Sequence, residues 1–460
     1  MFAPATAQAQ VSGAGVAAPA LAGCDTDLIY LNQVTGWQQS WPIEWAALAE
    51  ALPEAQAEAL GRWKAVAGIL ARDKEAMRSG LAGGRTAPAP VVRRVLEQID
   101  GLLEQPLAPS LKAPEWRALL DGKIRPAILD YATFLRDVYL PLASDKGLSD
   151  HPDGHRCFEQ STAYWTSLKL SPADIEALGR RLLARYRKQL SELTGLPDRH
   201  LAAYLADRRS DRGTASREEI VRVSEAAIAR ARAALPRWFD VREVPSLTVR
   251  SIPAQIEETV PAGYYELARD GAGATYHINL SRPGERRLMA EVIAFHEGIP
   301  GHHLALSAAP PAAINSGLVE GWAIYAEHLA DEMGLYSTRE DRIGMVAKHL
   351  WAASRLIVEP GLHVHGWPRD RAIAFMRDNT ALSEREIAIE VDRYLAWPGH
   401  SLAYMVGLDA IERARSSQAR CLGPRFDPRL FHAAILSPTM QSLEDVEALA
   451  ARHCPSGETS

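Results

Sequence analysis

Cysteine is scarce in this chain of 460 residues: there are four, at positions 24, 157, 421 and 454. None stands in C-x-x-C spacing, which argues against a thiolate metal knot or a dithiol redox motif. Long apolar runs are missing as well. No stretch approaches the roughly twenty consecutive apolar residues that a membrane-spanning helix needs. Nor is there a basic surplus: 51 Lys and Arg stand against 57 Asp and Glu, for a net charge of −6. Neutralising phosphates needs a basic patch, so nucleic acid is not an expected partner. The densest basic stretch, Arg180-Arg181 through Lys188, reads as the solvated face of a helix.

Residues 1–23 contain neither Lys nor Arg. They are rich in Ala, Pro and Gly, and Ala5-Thr6-Ala7-Gln8-Ala9 looks like the small-residue end of an export signal whose charged and apolar parts are lacking. Residues 1–24 are therefore read as a signal remnant or disordered tail. Leu21-Ala22-Gly23-Cys24 is also similar to a bacterial lipidation box, which would place a lipid anchor on Cys24. Export to the periplasm or beyond is expected, and with it a Cys421–Cys454 disulfide flanking a C-terminal helical hairpin.

What the chain does have is helical periodicity. Apolar residues recur at helical spacing over 43–74, 90–105, 113–138, 172–193 and 217–235, and Ser171-Pro172-Ala173-Asp174 forms a capping arrangement. Gly83-Gly84 with Pro88 and Pro90 marks a loop. Strand signals cluster only over 241–280, and helix returns from 282 to about 415. This predicts a mainly α fold: a large single helical body over 25–460, with a small sheet beside a deep inter-helix channel. Its parts would be an N-terminal helical region (25–240), the sheet (241–282), the metal-site and substrate helices (283–435) and a C-terminal helix and tail (436–460). Residues 275–280, Thr-Tyr-His-Ile-Asn-Leu, read as an exposed edge strand able to pair with an extended peptide.

The densest chemistry lies at 296–303, His-Glu-Gly-Ile-Pro-Gly-His-His. In H-E-x-x-H two histidines one turn apart hold a zinc ion, while the Glu serves as general base toward the water that the metal activates. Here the fourth residue after His296 is Pro300, so the second ligand must be His302 or His303. On a straight helix His303 would face His296 but lie about 10 Å along the axis, too far for one ion. Pro300 lacks an N–H and crowds the carbonyl of His296, so a bulge between Gly298 and Gly301 is expected. If it absorbs two residues, His302 takes the second position and His303 is the fallback.

A second segment, Gly317-Leu318-Val319-Glu320-Gly321-Trp322-Ala323-Ile324-Tyr325-Ala326-Glu327, puts two carboxylates on one helical face. Glu320 is the expected third ligand and Glu327 the group that orients a ligand histidine. Glu297 is the general base. Two histidines and a carboxylate also suit non-haem iron, so an iron oxidoreductase is an alternative, and a non-catalytic peptide- or partner-binding protein is another.

These motifs resemble a bacterial family catalogued as a domain of unknown function and marked by H-E-x-x-P-G-H-H. Tyr264-Tyr265, Tyr276-His277-Ile278-Asn279, Gly361-Leu362-His363, Gly366-Trp367, Arg393-Tyr394, Pro398-Gly399 and Ser401-Leu402-Ala403-Tyr404 extend the likeness over most of the chain. The family is regarded as related to helical zinc peptidases with a Glu third ligand. The resemblance thus implies a zinc metallopeptidase-like hydrolase acting on peptides or small amides.

Within that reading Tyr404 is the preferred oxyanion partner, with His400, Tyr394 and Tyr325 as competitors. His363 would be a ligand, an orienting group or a transition-state donor. Arg393 would meet a substrate carboxylate, and His400, Tyr265 and Asn279 would line the substrate path. Two departures stand out: His400 replaces the family's usual Gln, and Glu359 its usual Asp.

Overall fold

The computed structural model describes residues 24, 31–210, 213–240, 243–252, 257, 262–267, 273–308 and 314–452. Within them the protein is mainly α-helical, with one three-stranded sheet. Prolines set much of the early pattern. The stretch expected as one helix over 43–74 is instead three, Trp37–Ala49, Pro53–Trp63 and Val66–Ala82. A residue before proline is pushed out of the α region, and Leu52, before Pro53, has ψ of 151°. The expected 113–138 helix is likewise interrupted, by π-helical turns at Leu120–Ile124 and Leu135–Tyr139. Pro126 offers no N–H to the carbonyl four residues back, and the first π turn lies just ahead of it.

The remaining expected helices form at Ala89–Leu103, Pro172–Thr194 and Arg217–Trp238. Ser171 caps the second of them: its hydroxyl accepts from Asp174 N, and the Asp174 carboxylate accepts from Ser171 N.

Apolar side chains collect in separate clusters. Trp37, Trp41, Trp45, Trp63 and Trp116 stack through the N-terminal one, with neighbouring ring centroids 4.4–6.4 Å apart. A larger cluster takes residues from Phe158 to Leu449 and surrounds the histidine motif. Its spine is the Arg339–His363 helix, which lies against Pro172–Thr194.

Strands β1 (Leu247–Ser251), β2 (Gly263–Glu266) and β3 (Ala274–Ile278) run in the order β1-β3-β2. The edge role expected of 275–280 is corrected here, because β3 is central. It pairs in parallel with β1, Val249 opposite Tyr276, and antiparallel with β2, Tyr265 opposite Tyr276. Alternation reveals a strand but not its neighbours, and both flanks of β3 are taken. Asn279 closes the strand rather than facing a channel: its Nδ2 donates to Glu257 O, and its Oδ1 accepts from Ser281 N and Oγ.

Cys24 is disulfide-bonded to Cys157. That bond and the thioether of a lipid anchor would need the same sulfur, so each excludes the other. Cys454, and with it the expected Cys421–Cys454 bond, lies outside the described residues, as does the tail over 1–23.

Candidate metal centre

The metal motif begins on the wholly buried Ala290–Glu297 helix, which ends where the sequence breaks. Gly298 N still reaches Ala294 O at 2.9 Å, after which the chain turns through 298–301 and restarts as His302–Ala308. In the turn Gly301 N donates to Phe295 O (3.0 Å) and His303 N to Gly298 O (3.1 Å). A Cβ at Gly301 would fall 2.0 Å from the carbonyl oxygen of His296, so no larger residue fits there. The Ile299–Pro300 peptide bond is cis.

The turn folds His302 back onto His296. Their rings lie 4.7 Å apart and nearly perpendicular, at 78°. Glu320, from the Ser316–Glu332 helix, completes the group: its Oε2 is 3.3 Å from His296 Nε2 and 3.6 Å from His302 Nε2. A tetrahedral ion with bonds of about 2.0–2.2 Å separates its ligand atoms by roughly 3.3–3.6 Å. All three ligand atoms lie within 4.8 Å of one another. Among the described residues Glu320 Oε2 is buried without a conventional hydrogen bond, a costly condition that a cation would relieve. The donor set therefore fits Zn²⁺.

Protonation states agree. Burial pushes the Glu320 carboxyl up, but the imidazoles of His296 and His302 outweigh it and hold the pKa well below the usual range. Burial lowers that of His302, which favours the neutral imidazole that ligates metals. His296 Nδ1 donates to Glu327 Oε1 at 2.6 Å, leaving the Nε2 lone pair to face the cluster. Glu327 is anchored in turn by Lys348 and by His349 Nε2 at 2.8 Å. From there hydrogen bonds continue through His328 (3.2 Å) to Glu412 (2.9 Å) and Arg185 near the surface.

Glu297 Oε2 lies 4.0 Å from His302 Nε2, at the rim of the three ligand atoms. The Tyr404 ring stacks on His296 with 6.2 Å between centroids and 13° between planes. This approach depends on small residues. A Cβ at Gly321 would meet Gly407 Cα at 2.4 Å, so the helices bearing Glu320 and Tyr404 touch backbone to backbone.

Other expected residues are spent elsewhere. His303 turns away from His296: Nε2 bonds to Pro245 O (2.9 Å), and Nδ1 lies 3.3 Å from the Tyr265 hydroxyl, which is thereby buried as a support. His363 Nδ1 accepts from Leu148 N (3.2 Å) and its Nε2 donates to Tyr394 O (3.1 Å), leaving neither nitrogen for a metal or substrate. Tyr325 donates to His432 Nε2 (2.8 Å), and the Tyr394 hydroxyl accepts from Trp351 and Arg355. Arg393 is buried and grips Glu390, with Nη2 to Oε2 at 2.7 Å. His400 packs between Trp165 and Trp397, and burial, reinforced by Arg393, pushes its pKa down to about 3.

Four contributors escaped the sequence reading: Lys348, His349, Arg355 and Trp322. The first three sit on a long helix with no local signature. Trp322 had one, lying two residues after Glu320; its Nε1 donates to Pro300 O at 2.9 Å and ties the two motifs together.

A cavity of 390 Å³ reaches Trp351, Ile293 and Glu390 but is lined by none of the three candidate ligand residues. No helix among the described residues is long and apolar enough to cross a membrane. No curated protein matches the sequence.

Two solved structures share the fold. One, described as the putative lipoprotein from Colwellia psychrerythraea, is 21% identical with a TM-score of 0.81, over 92% of this chain and 80% of its own. The other, a lipoprotein of unknown function from Shewanella oneidensis by the same kind of description, is 18% identical with a TM-score of 0.67, over 90% and 82%. Residues 5–447 match the family described as "Bacterial protein of unknown function (DUF885)", and the chain belongs to that family.

Proposed function

We propose that the protein is a zinc-dependent hydrolase, a metallopeptidase that cleaves short peptides with Glu297 as general base. The observation that carries this is the convergence of His296 Nε2, His302 Nε2 and Glu320 Oε2, with Glu297 Oε2 beside them. Zn²⁺ bound there supplies Lewis acidity, polarising a carbonyl and making nearby water more acidic. The residues do the rest. His296, held by Glu327, and His302, held by the Gly301 turn, fix the ligand geometry. Glu297 takes the proton of the attacking water and delivers it to the leaving amine. Tyr404, stacked on His296, is placed to steady the oxyanion.

A base directly after the first ligand favours hydrolysis over iron oxygenation, which has no use for it. Export fits the Cys24–Cys157 bond, a pairing typical of oxidising compartments, and the lipoprotein descriptions of the two similar structures.

Metal analysis of purified protein and a peptide-library digest test the reading. One zinc per chain and cleavage that falls about 10²–10⁴-fold in Glu297→Gln, with zinc retained, are expected. Iron in the site, or unimpaired cleavage by Glu297→Gln, would overturn it.

A further inference from the structure

Two buried arginines lie within electrostatic reach of Tyr404. Arg355, from the Arg339–His363 helix, and Arg393, from Glu384–Ala396, are 3% and 2% exposed. They share one acid. Arg393 Nε and Nη2 reach Glu390 Oε1 and Oε2 at 3.2 and 2.7 Å, and Arg355 Nη2 reaches Oε2 at 3.3 Å. Asp392, the next acid on that helix, is spent on Arg369 and Arg94.

The remaining neighbours compensate little: Glu359 lies within electrostatic reach of Arg393, but burial pushes its carboxyl up to about 7 and its oxygens are taken by Gly399 N and by Ser401. The Tyr394 hydroxyl accepts from Arg355 Nε at 3.2 Å, and His400 Nδ1 lies 3.4 Å from Arg393 Nη1. Two cations against one anion leave a net positive charge where water is scarce. An uncompensated buried charge is expensive, so the arrangement calls for an anion.

Position says which anion. Arg355 Cζ sits 4.6 Å from the centre of the Tyr404 ring, and that ring stacks on the ligand His296. The Tyr404 ring thus has both a guanidinium and a candidate ligand imidazole as neighbours. By these two separations guanidinium and imidazole are at most about 11 Å apart; with a carboxylate standing about 4 Å from Arg355 Cζ, about 7 Å remains, room for one or two residues of extended peptide at about 3.3–3.6 Å each. Arg355 Nη1 is the donor left over after Tyr394 and Glu390. The 390 Å³ cavity touches the same cluster through Glu390 and through Trp351, whose ring lies 4.4 Å from Arg355 Cζ, giving a terminal side chain room beside it.

We propose that Arg355, with the charge of Arg393 behind it, binds the free C-terminal carboxylate of the substrate, so that the enzyme removes one or two residues from the C-terminal end of peptides. This rests on the hydrolase reading above. The reaction is a hydrolysis: the oxygen of water joins the carbonyl carbon and the C–N bond breaks. The water proton passes by Glu297 to the leaving amine, and no oxidant or reductant takes part.

The test compares a pentapeptide acid with its C-terminal amide. Binding is measured by calorimetry to zinc-loaded Glu297→Gln, and cleavage is measured on the wild type. The acid is expected to bind about 30-fold more tightly than the amide, the scale of a hydrogen bond to a charged group. Arg355→Gln in that background should bring the acid to the level of the amide and leave the amide unchanged. Equal binding of acid and amide by the protein with both arginines overturns the proposal, whether or not the Arg355 variant folds. So does equal weakening of both peptides in a folded, zinc-loaded Arg355→Gln. The hydrolase reading fails separately: an acid preference in binding with no cleavage by wild type sinks the chemistry and keeps the carboxylate site.

Discussion

Glu359 and His363 stand one helical turn apart and are wholly buried, as are Glu320 and its two histidines, yet the two groups have opposite capacities. At the candidate metal centre, side-chain atoms converge on one another across a turn and a helix–helix contact, and Glu320 Oε2 has no conventional hydrogen-bond partner among the described residues. At the second group every strong acceptor and donor is closed by backbone or by one serine hydroxyl. Glu359 accepts from Gly399 N (2.7 Å), Ser401 N (3.2 Å) and Ser401 Oγ (2.6 Å), while His363 is held by Leu148 and Tyr394. Residue type and burial are the same in both. What separates a candidate ligand set from a structural cross-brace is which atoms remain after the backbone has been served.

The contrast breaks first at its histidines. His302→Ala should abolish stoichiometric zinc binding, an affinity loss on the order of 10³-fold or more. His363→Ala should leave one zinc per chain while costing about 3 kcal/mol of stability, because Leu148 N and Tyr394 O lose their partner and Phe158 its stacked ring. Paired metal analysis and denaturant unfolding measure both. Zinc loss in His363→Ala at unchanged stability would reverse the assignment.

A second difference is protonation. Burial pushes Glu359 up to about 7 against the bonds it accepts, whereas Glu320 is held low. A raised carboxyl favours the folded state fully below its unfolded pKa of 4.5, and that contribution is lost as pH rises through about 7. Unfolding free energy should therefore fall by up to about 3 kcal/mol over that window, and the fall should flatten in Glu359→Gln. Identical slopes in variant and wild type would show that Glu359 stays ionised throughout. The smallest effect sharpens the metal side alone: Glu327→Gln should weaken zinc 10–100-fold, read by chelator competition, since it removes the charge that orients His296.

Local order made the metal helix, the carboxylate helix and the favoured position of His302 legible, since a proline and a glycine dictate where the motif must bend. The same logic failed wherever partners come from afar. Nothing near Lys348, His349 or Arg355 announces that they face Glu327 or Tyr404: the Arg339–His363 helix is buried on nearly every side, and although Asp341, Lys348, Arg355, Glu359 and His363 share one face, that spacing does not say which partners they meet. The sheet order was hidden for a related reason: β3 looks the same in sequence whether one flank or two are paired. Cysteine pairing was hidden too, since four cysteines allow three connectivities. His363 looked like a candidate because its motif says nothing about Leu148, 215 positions earlier in the chain.

The bond between Cys24 and Cys157 spans 133 positions and therefore makes a covalent ring of the whole tryptophan-rich N-terminal lobe. Such a ring removes about 5 kcal/mol of freedom from the unfolded chain in the chain-entropy picture. The lobe can melt, but it cannot drift: its first residue stays moored to the Gly154–Thr166 helix, which lies against the Glu320 and Tyr404 helices. A fluctuation that opens the lobe remains leashed, and the chain outside the ring has no covalent share in it.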